Sequence, residues 1–364
     1  MGKYFSKEIQ TNEDLKQTAG FKARDDADLI LANNDWKELT FAFDTAYESK
    51  GAADTLRIHR NNKKVWKDRL EALGNGDALL VQFPVKNHSI FLSGVFTEQI
   101  RKGVKVILLI HDLETIRAAL RQDTPLRRKI RLNLEEGKIM RQASAIIVHN
   151  EAMKELLIKE GFAPEKLVVL EMFDYLIPDY DARKDALAGH FAKDLPVIVA
   201  GNLRRHKAEY VYHLPTTQEF NLYGVGYEDQ KQLNIHYQGS FDPDELPFAL
   251  QGSFGLVWDG DSADTCSGVY GQYLKVNNPH KCSLYLATGL PVIVWKESAV
   301  ARIVEREHLG IAVNSLHEIP ERIKELSEMD YANMQEKVRS YAQGLRNGEQ
   351  LKKALVQALQ GVDA

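Results

Sequence analysis

Leu195-Pro-Val-Ile-Val-Ala-Gly-Asn202 decides how this chain is divided. It is a continuous apolar run that ends on a glycine and a polar residue. A strand that is apolar at every position, not at every second one, is covered on both faces, as parallel strands are. Upstream the same signature occurs in Asp77-Ala-Leu-Leu-Val-Gln-Phe83, Gly103-Val-Lys-Val-Ile-Leu-Leu-Ile-His-Asp112, Ala145-Ile-Ile-Val-His-Asn150 and Leu167-Val-Val-Leu170. Downstream it occurs in Phe220-Asn-Leu-Tyr-Gly-Val225, Ile235-His-Tyr-Gln-Gly239, Phe254-Gly-Leu-Val-Trp-Asp259 and Leu290-Pro-Val-Ile-Val-Trp295. Amphipathic helical stretches lie between them, at Ile130 to Met140, Glu151 to Glu160 and Ile319 to Leu326. This alternation predicts an α/β protein of two doubly wound parallel-sheet, Rossmann-like domains. The pattern restarts near residue 195 after Phe173-Asp-Tyr-Leu-Ile-Pro-Asp-Tyr-Asp-Ala182, expected as a linker because Pro178 discourages a helix there. The expected division is residues 1–175, residues 176–340, and a helix in 341–364 that folds back on the first domain.

A chain of 364 residues suits about two domains. Its 44% hydrophobic and 27% charged residues are enough for sizeable cores and argue against disorder. The 47 Lys and Arg against 51 Asp and Glu give −4, which speaks against a whole-chain grip on nucleic acid. Cys266 and Cys282 are too few for a disulfide scaffold or a zinc site and read as free thiols. The longest clean apolar run, Val106 to Ile110, is far short of the roughly 20 residues that span a bilayer. Met1 to Glu8 lacks the apolar stretch of a signal peptide. A cytoplasmic location is expected, with peripheral contact at the inner face of the plasma membrane left open.

Ligands of open α/β sheets bind beyond the carboxyl ends of the strands. The polar residues that follow the apolar runs are therefore the candidates, and two such domains facing each other would form a cleft. In Gly201-Asn-Leu-Arg-Arg-His-Lys207, Arg204 and Arg205 can fork onto phosphate and Lys207 can add a point charge. The plain alternative is a solvated basic loop. In Pro279-His-Lys-Cys-Ser-Leu-Tyr-Leu-Ala-Thr-Gly289, a short helix over Ser283–Thr288 is expected, capped by Gly289 and carrying Lys281 at an anion-binding start. The alternative is a well-capped connection and nothing more. Trp258-Asp-Gly-Asp-Ser-Ala-Asp-Thr-Cys-Ser-Gly-Val-Tyr270 is long for a connector. Asp259 and Asp261 can hydrogen-bond sugar hydroxyls, and Trp258 or Tyr270 can stack on a sugar face. A divalent metal and a plain surface loop are the rival uses.

In the first half, Thr18-Ala-Gly-Phe-Lys-Ala-Arg-Asp-Asp-Ala-Asp28 reads as a glycine turn entering a helix, with Lys22, Arg24, Asp25 and Asp26 near its start. These acids can serve catalysis or merely complement the helix dipole. His111 and Asp112 follow the best strand, where either can act as a base or touch a sugar. Gly224-Val-Gly226 lacks the third glycine of a dinucleotide fingerprint. Arg117 to Arg141 holds eight Lys and Arg against three acids, a local +5. It is either a solvated helix face or a surface for an anionic acceptor or anionic membrane.

Taken together, these segments resemble the bacterial β-1,6-galactofuranosyltransferases of O-antigen and capsule assembly, which are glycosyltransferases of the GT-B architecture. The similar stretches are Ala19–Ala27, Ile110-His-Asp-Leu113, Phe173–Leu176, Gly201–Lys207, Gly239-Ser-Phe-Asp242, Gly255–Ser262, Thr265-Cys-Ser-Gly268 and Tyr273 to Leu286. A weaker resemblance extends to a streptococcal adhesin glucosyltransferase that uses UDP-glucose. The resemblance implies a UDP-sugar donor, UDP-galactofuranose, held by the second domain, and a saccharide or lipid-linked glycan acceptor. It implies Arg205 and Lys281 on the diphosphate and Gly239, Ser240 and Phe241 at the nucleobase. Many retaining relatives carry a ribose-binding Glu where this chain has Leu284, so that contact does not carry over. A β-linked product from an α-linked donor implies inversion and a base from the first domain, with Asp112, Asp25 and Asp26 as candidates. No metal and no other cofactor are expected. The alternatives are a retaining UDP-glucose- or UDP-galactose-dependent transferase and a non-catalytic sugar-nucleotide-binding subunit. Homo-oligomerisation is left open.

Overall fold

A computed structural model of the chain describes residues 1–9, 19–43, 51–85, 90–121 and 123–361. Thr18, Gln122 and residues 362–364 of the stretches discussed above lie outside the described residues. The chain divides into two compact units, residues 1–16, 27–170 and 351–364 in the first and residues 17–26 and 171–350 in the second.

The first unit holds β1 (Lys3–Ile9), β2 (Lys37–Ala42), β3 (Ala78–Phe83), β4 (Lys105–Ile110), β5 (Ala145–Val148) and β6 (Leu167–Val169). They form one parallel sheet in the order β2-β1-β3-β4-β5-β6. The second unit holds β7 (Val197–Asn202), β8 (Phe220–Val225), β9 (Ile235–Gly239), β10 (Gly255–Val257), β11 (Val292–Trp295) and β12 (Gly310–Val313). Its parallel order is β12-β11-β10-β7-β8-β9. The second order is that of the dinucleotide-binding Rossmann sheet, and the first five strands of the other follow the flavodoxin-like order. The chain reverses direction across the sheet between β1 and β3 in one unit and between β7 and β10 in the other.

Burial on both faces explains the unbroken apolar runs. Val197 and Val199 enter one apolar cluster while their neighbours Ile198 and Ala200 enter another. On β11, Val292 and Val294 face the second cluster and Ile293 and Trp295 the first. The stretch expected as a linker is packed instead: its Tyr175 and Ile177, with Met172 just before it, join the core of the second unit. Helix His280–Thr288 begins three residues earlier than expected and ends on Gly289 in the left-handed region, at φ 90°. The basic segment is not one helix over 130–140. It runs as helix Leu126–Leu132, a π turn over Asn133–Gly137 and helix Lys138–Gln142. The C-terminal tail is two helices, Glu328–Arg346 and Glu349–Gln360, parted at Asn347-Gly348.

Candidate active site

In the second unit the candidate cations gather at the switch point of the sheet. The chain leaving β7 and the chain leaving β10 are tied together by a bridge between Ala208 and Gly260. Gly260 N donates to the Lys207 carbonyl at 3.1 Å, and Tyr210 N donates to the Gly260 carbonyl at 3.3 Å. Gly260 sits at φ 112°, and a Cβ there would strike the Ser267 carbonyl. From helix His280–Thr288, Lys281 Nζ reaches the Trp258 carbonyl and Asp259 Oδ1, each at 2.8 Å. Burial is the largest single influence and works against its charge, but the Asp259 carboxylate, by charge and hydrogen bond, together with Tyr285 and Cys266 raises the ammonium pKa. Gly224 and Gly226 have a role after all. A Cβ on Gly224 would collide with the Gly201 carbonyl, and one on Gly226 with the Arg204 side chain. The pair lets the β7 and β8 loops close on each other without a fingerprint.

The cations differ in their surroundings. Arg204 is exposed and its backbone N–H is received by Asn202 Oδ1 at 3.1 Å. Arg205 lies over the Tyr212 ring at 3.9 Å and donates to Glu209 at 2.6 Å and Glu228 at 3.0 Å. Lys207 stands 5.9 Å from the Tyr270 ring centroid. At the same carboxyl edge, Gly239 ends β9 at φ 90°, followed by exposed Ser240 and by Phe241, whose ring is 38% exposed. Phe241 lies 6.0 Å from the Tyr223 ring.

The sugar candidates separate. Asp259 is buried against Lys281. Asp261 is exposed and accepts from the Ser267 hydroxyl. Trp258 does not fit the stacking expectation. Its ring is fully buried beside Trp295, and its Nε1 donates to the Ser262 carbonyl at 2.9 Å. Leu284 is likewise buried in the core. Cys266 and Cys282 are buried free thiols.

Asp25 and Asp26 lie in the second turn of helix Ala19–Ala32, not at its start. Asp25 is exposed. Asp26 is buried, and Lys22 Nζ donates to it at 2.8 Å and to Asp244 at 2.7 Å. Its other oxygen receives the Leu176 N–H at 3.1 Å. Desolvation outweighs Lys22 and pushes the carboxyl up to about 6.

In the first unit, His111 and Asp112 follow β4. Asp112 Oδ1 accepts from Arg117 at 2.6 Å, and Arg117 also holds Glu114 at 3.0 Å. His111 Nε2 lies 2.7 Å from Gln82 Oε1, and Gln82 Nε2 donates to Asp28 Oδ1 at 2.5 Å. Asp28 and Gln82 are both buried. This chain of contacts runs across the β1–β3 switch, from the helix after β1 through β3 to the end of β4. Sequence reading missed Asp28 and Gln82; the signal was an amide inside an otherwise apolar strand. His149 is buried with Nε2 3.1 Å from the Ile110 carbonyl, and burial pushes it down to about 3. Glu136 on the π turn accepts from the N–H groups of Glu114 and Thr115 at 3.2 and 2.8 Å, and burial pushes its carboxyl up to about 7. Among the described residues no group of three or more His, Cys, Asp or Glu is placed to hold a metal ion, and no helix is long and apolar enough to cross a membrane.

Two doubly wound parallel sheets, one with cationic loops joined at its switch point, define the class of GT-B glycosyltransferases. The Glucosyltransferase 3-like N-terminal and C-terminal domain families match residues 7–172 and 197–358. The β-1,6-galactofuranosyltransferase WbbI of Escherichia coli (strain K12) is 33% identical over 290 residues, 79% of this chain and 80% of that protein. Glucosyltransferase 3 of Streptococcus gordonii is 26% identical over 352 residues, 95% of this chain and 96% of that protein. The E. coli trehalose-6-phosphate structure bound with UDP-2-fluoro glucose superposes with a TM-score of 0.60 at 10% identity, covering 99% of both chains. The chain belongs to this family of Glucosyltransferase 3-like and galactofuranosyltransferase-like enzymes and is a hexosyltransferase.

Proposed function

We propose that this enzyme transfers galactofuranose from UDP-galactofuranose to a saccharide or lipid-linked glycan acceptor, with inversion, in cell-surface polysaccharide synthesis. The observation that carries the reading is the joined pair of loops after β7 and β10, with Arg204, Lys207 and Lys281 on them or against them. A sugar diphosphate at the switch point is stabilised there by these cations and by Arg205, and the leaving UDP by the same charges. Phe241 offers a half-exposed ring to the uracil. Exposed Asp261 is the carboxylate offered to the sugar, while Asp259 is committed to Lys281. The donor class also has support from the UDP-sugar held by the trehalose-6-phosphate structure and from the name of the E. coli relative.

In the displacement, the acceptor oxygen forms its bond to the anomeric carbon as the bond to the diphosphate oxygen breaks. The hydroxyl proton passes to a base of this chain, and UDP leaves with the electron pair. Asp112 and Asp25 remain candidates for that base. A specific contact favours a second reading, His111. The Gln82 amide nitrogen is committed to Asp28, so neutral His111 donates from Nε2 to Gln82 Oε1 and carries its lone pair on Nδ1. Asp26, committed to Lys22 and Leu176, then has a structural task.

The test is mass spectrometry and anomeric analysis of products from UDP-galactofuranose, UDP-glucose and UDP-galactose with octyl glycoside acceptors. A β-linked galactofuranoside is expected. An α-linked glucoside would overturn both the donor and the stereochemistry. His111→Ala is expected to lower kcat by about a hundredfold or more. A larger loss in Asp112→Ala than in His111→Ala would return the base to Asp112.

A further inference from the structure

The basic segment 117–141 carries an exposed apolar stripe. Leu126, Ile130 and Leu134 are 72%, 54% and 38% exposed, and they recur every fourth residue along helix Leu126–Leu132 and into the π turn. The opposite face is buried through Leu132, Glu135, Glu136, Ile139 and Met140. The stripe is flanked by exposed Arg127 and Arg131 on one side and Lys129 on the other, with exposed Lys138 beyond the turn. Arg117 and Arg128 are engaged with Asp112 and Glu114, and exposed Arg131 lies 3.5 Å from Glu135. A solvated helix face has no use for three exposed branched aliphatics in line, and a plain protein interface has no use for a local charge of +5.

We propose that this face of the first unit binds an anionic lipid bilayer, with Leu126, Ile130 and Leu134 entering the headgroup boundary and the flanking Arg and Lys on lipid phosphates. Apolar side chains at the centre and cations at the rim are the arrangement of a helix that lies in a membrane interface. The charge complements an acidic leaflet although the whole protein is −4. A second copy meeting this face symmetrically would set +5 against +5.

The full chain is floated with vesicles rich in phosphatidylglycerol and with vesicles of phosphatidylcholine alone. Binding to the anionic vesicles, weakened by salt, is expected. Leu126→Ser with Ile130→Ser, and separately Arg127→Glu with Lys129→Glu, are each expected to weaken it by more than about tenfold. All four side chains are exposed, so an unchanged circular dichroism spectrum is the control for folding. Equal binding to both vesicle types overturns the proposal, as does full binding by the Leu126→Ser, Ile130→Ser variant. Absence of vesicle binding together with self-association that this variant abolishes overturns it in favour of a protein interface.

Discussion

The ion pair between Lys281 and Asp259 shows how one residue answers to both stability and ligand. Lys281→Ala leaves the Asp259 carboxylate buried without its cation, at a cost of about 3 kcal/mol of stability. It is also expected to weaken UDP about tenfold, or about 1.4 kcal/mol. The two effects separate in the double variant with Asp259→Ala. Denaturant titration should recover most of the lost stability, while calorimetry should still find weak UDP binding. UDP affinity restored along with stability would mean that Lys281 only braces Asp259. At this scale the sequence was legible where chemistry sits at a strand end, as at Gly201–Lys207 and His111-Asp112. It misled at Trp258, because an indole before a polar loop looks exposed until its N–H finds the Ser262 carbonyl and its ring finds Trp295. Asp28 and Gln82 were illegible because no local pattern pairs a helix carboxylate with an amide 54 residues away. Their role is open to test: Asp28→Asn is expected to lower kcat several-fold or more with KM unchanged, the mark of a group that orients the base. Equal losses in His111→Ala and in the Asp28→Asn, His111→Ala double variant would fit one shared pathway, and additive losses would break it.

Among the elements, the π turn at Asn133–Gly137 has a measurable signature. It turns Glu136 inward onto the N–H groups of Glu114 and Thr115, where burial holds its carboxyl near 7 instead of the usual 4.5. The folded state therefore keeps a proton that the unfolded chain gives up. This contribution is full below pH 4.5 and is lost as pH rises through about 7, a change on the order of 3 kcal/mol. Replacing the carboxyl by the amide in Glu136→Gln removes the titration. The difference in stability between the native protein and this variant, followed by denaturant unfolding, should shift against the native protein from pH 4.5 to 7. A constant difference would show that Glu136 stays charged. The sequence hid the turn because its spacing of apolar residues still fits a helix. Three strands were hidden for a different reason. β1 carries Lys3, Ser6, Lys7 and Glu8, edge strand β2 carries Lys37, Glu38 and Thr40, and edge strand β12 is short and only half buried, with Gly310 and Ala312 at its partly exposed positions. Most of the strands that were read are buried apolar runs, with the exposed edge strand β9 the exception.

For the whole molecule, the alternation of strand and helix announced two doubly wound sheets but not their different strand orders. That order depends on which way each crossover turns after β1 and after β7, and no run of apolar residues encodes it. For the end of the chain, the sequence leads one to expect a helix in 341–364 that folds back on the first domain. Residues 351–364 group with the first unit although the 180 residues 171–350 of the second come directly before them in the chain. Leu351, Ala354, Leu355 and Ala358 on helix Glu349–Gln360 are buried there. Leu355→Asp sets a carboxylate into that apolar contact and should cost several kcal/mol, about the worth of a buried leucine plus the desolvation of the charge. The loss should fall on the first unit. Hydrogen exchange is expected to rise in β3, β4 and β5 well before it rises in β7, β10 and β11, with UDP affinity, a property of the second unit in the reading above, nearly unchanged. Uniform loss of protection in both sheets would instead mean that the two units unfold as one cooperative body.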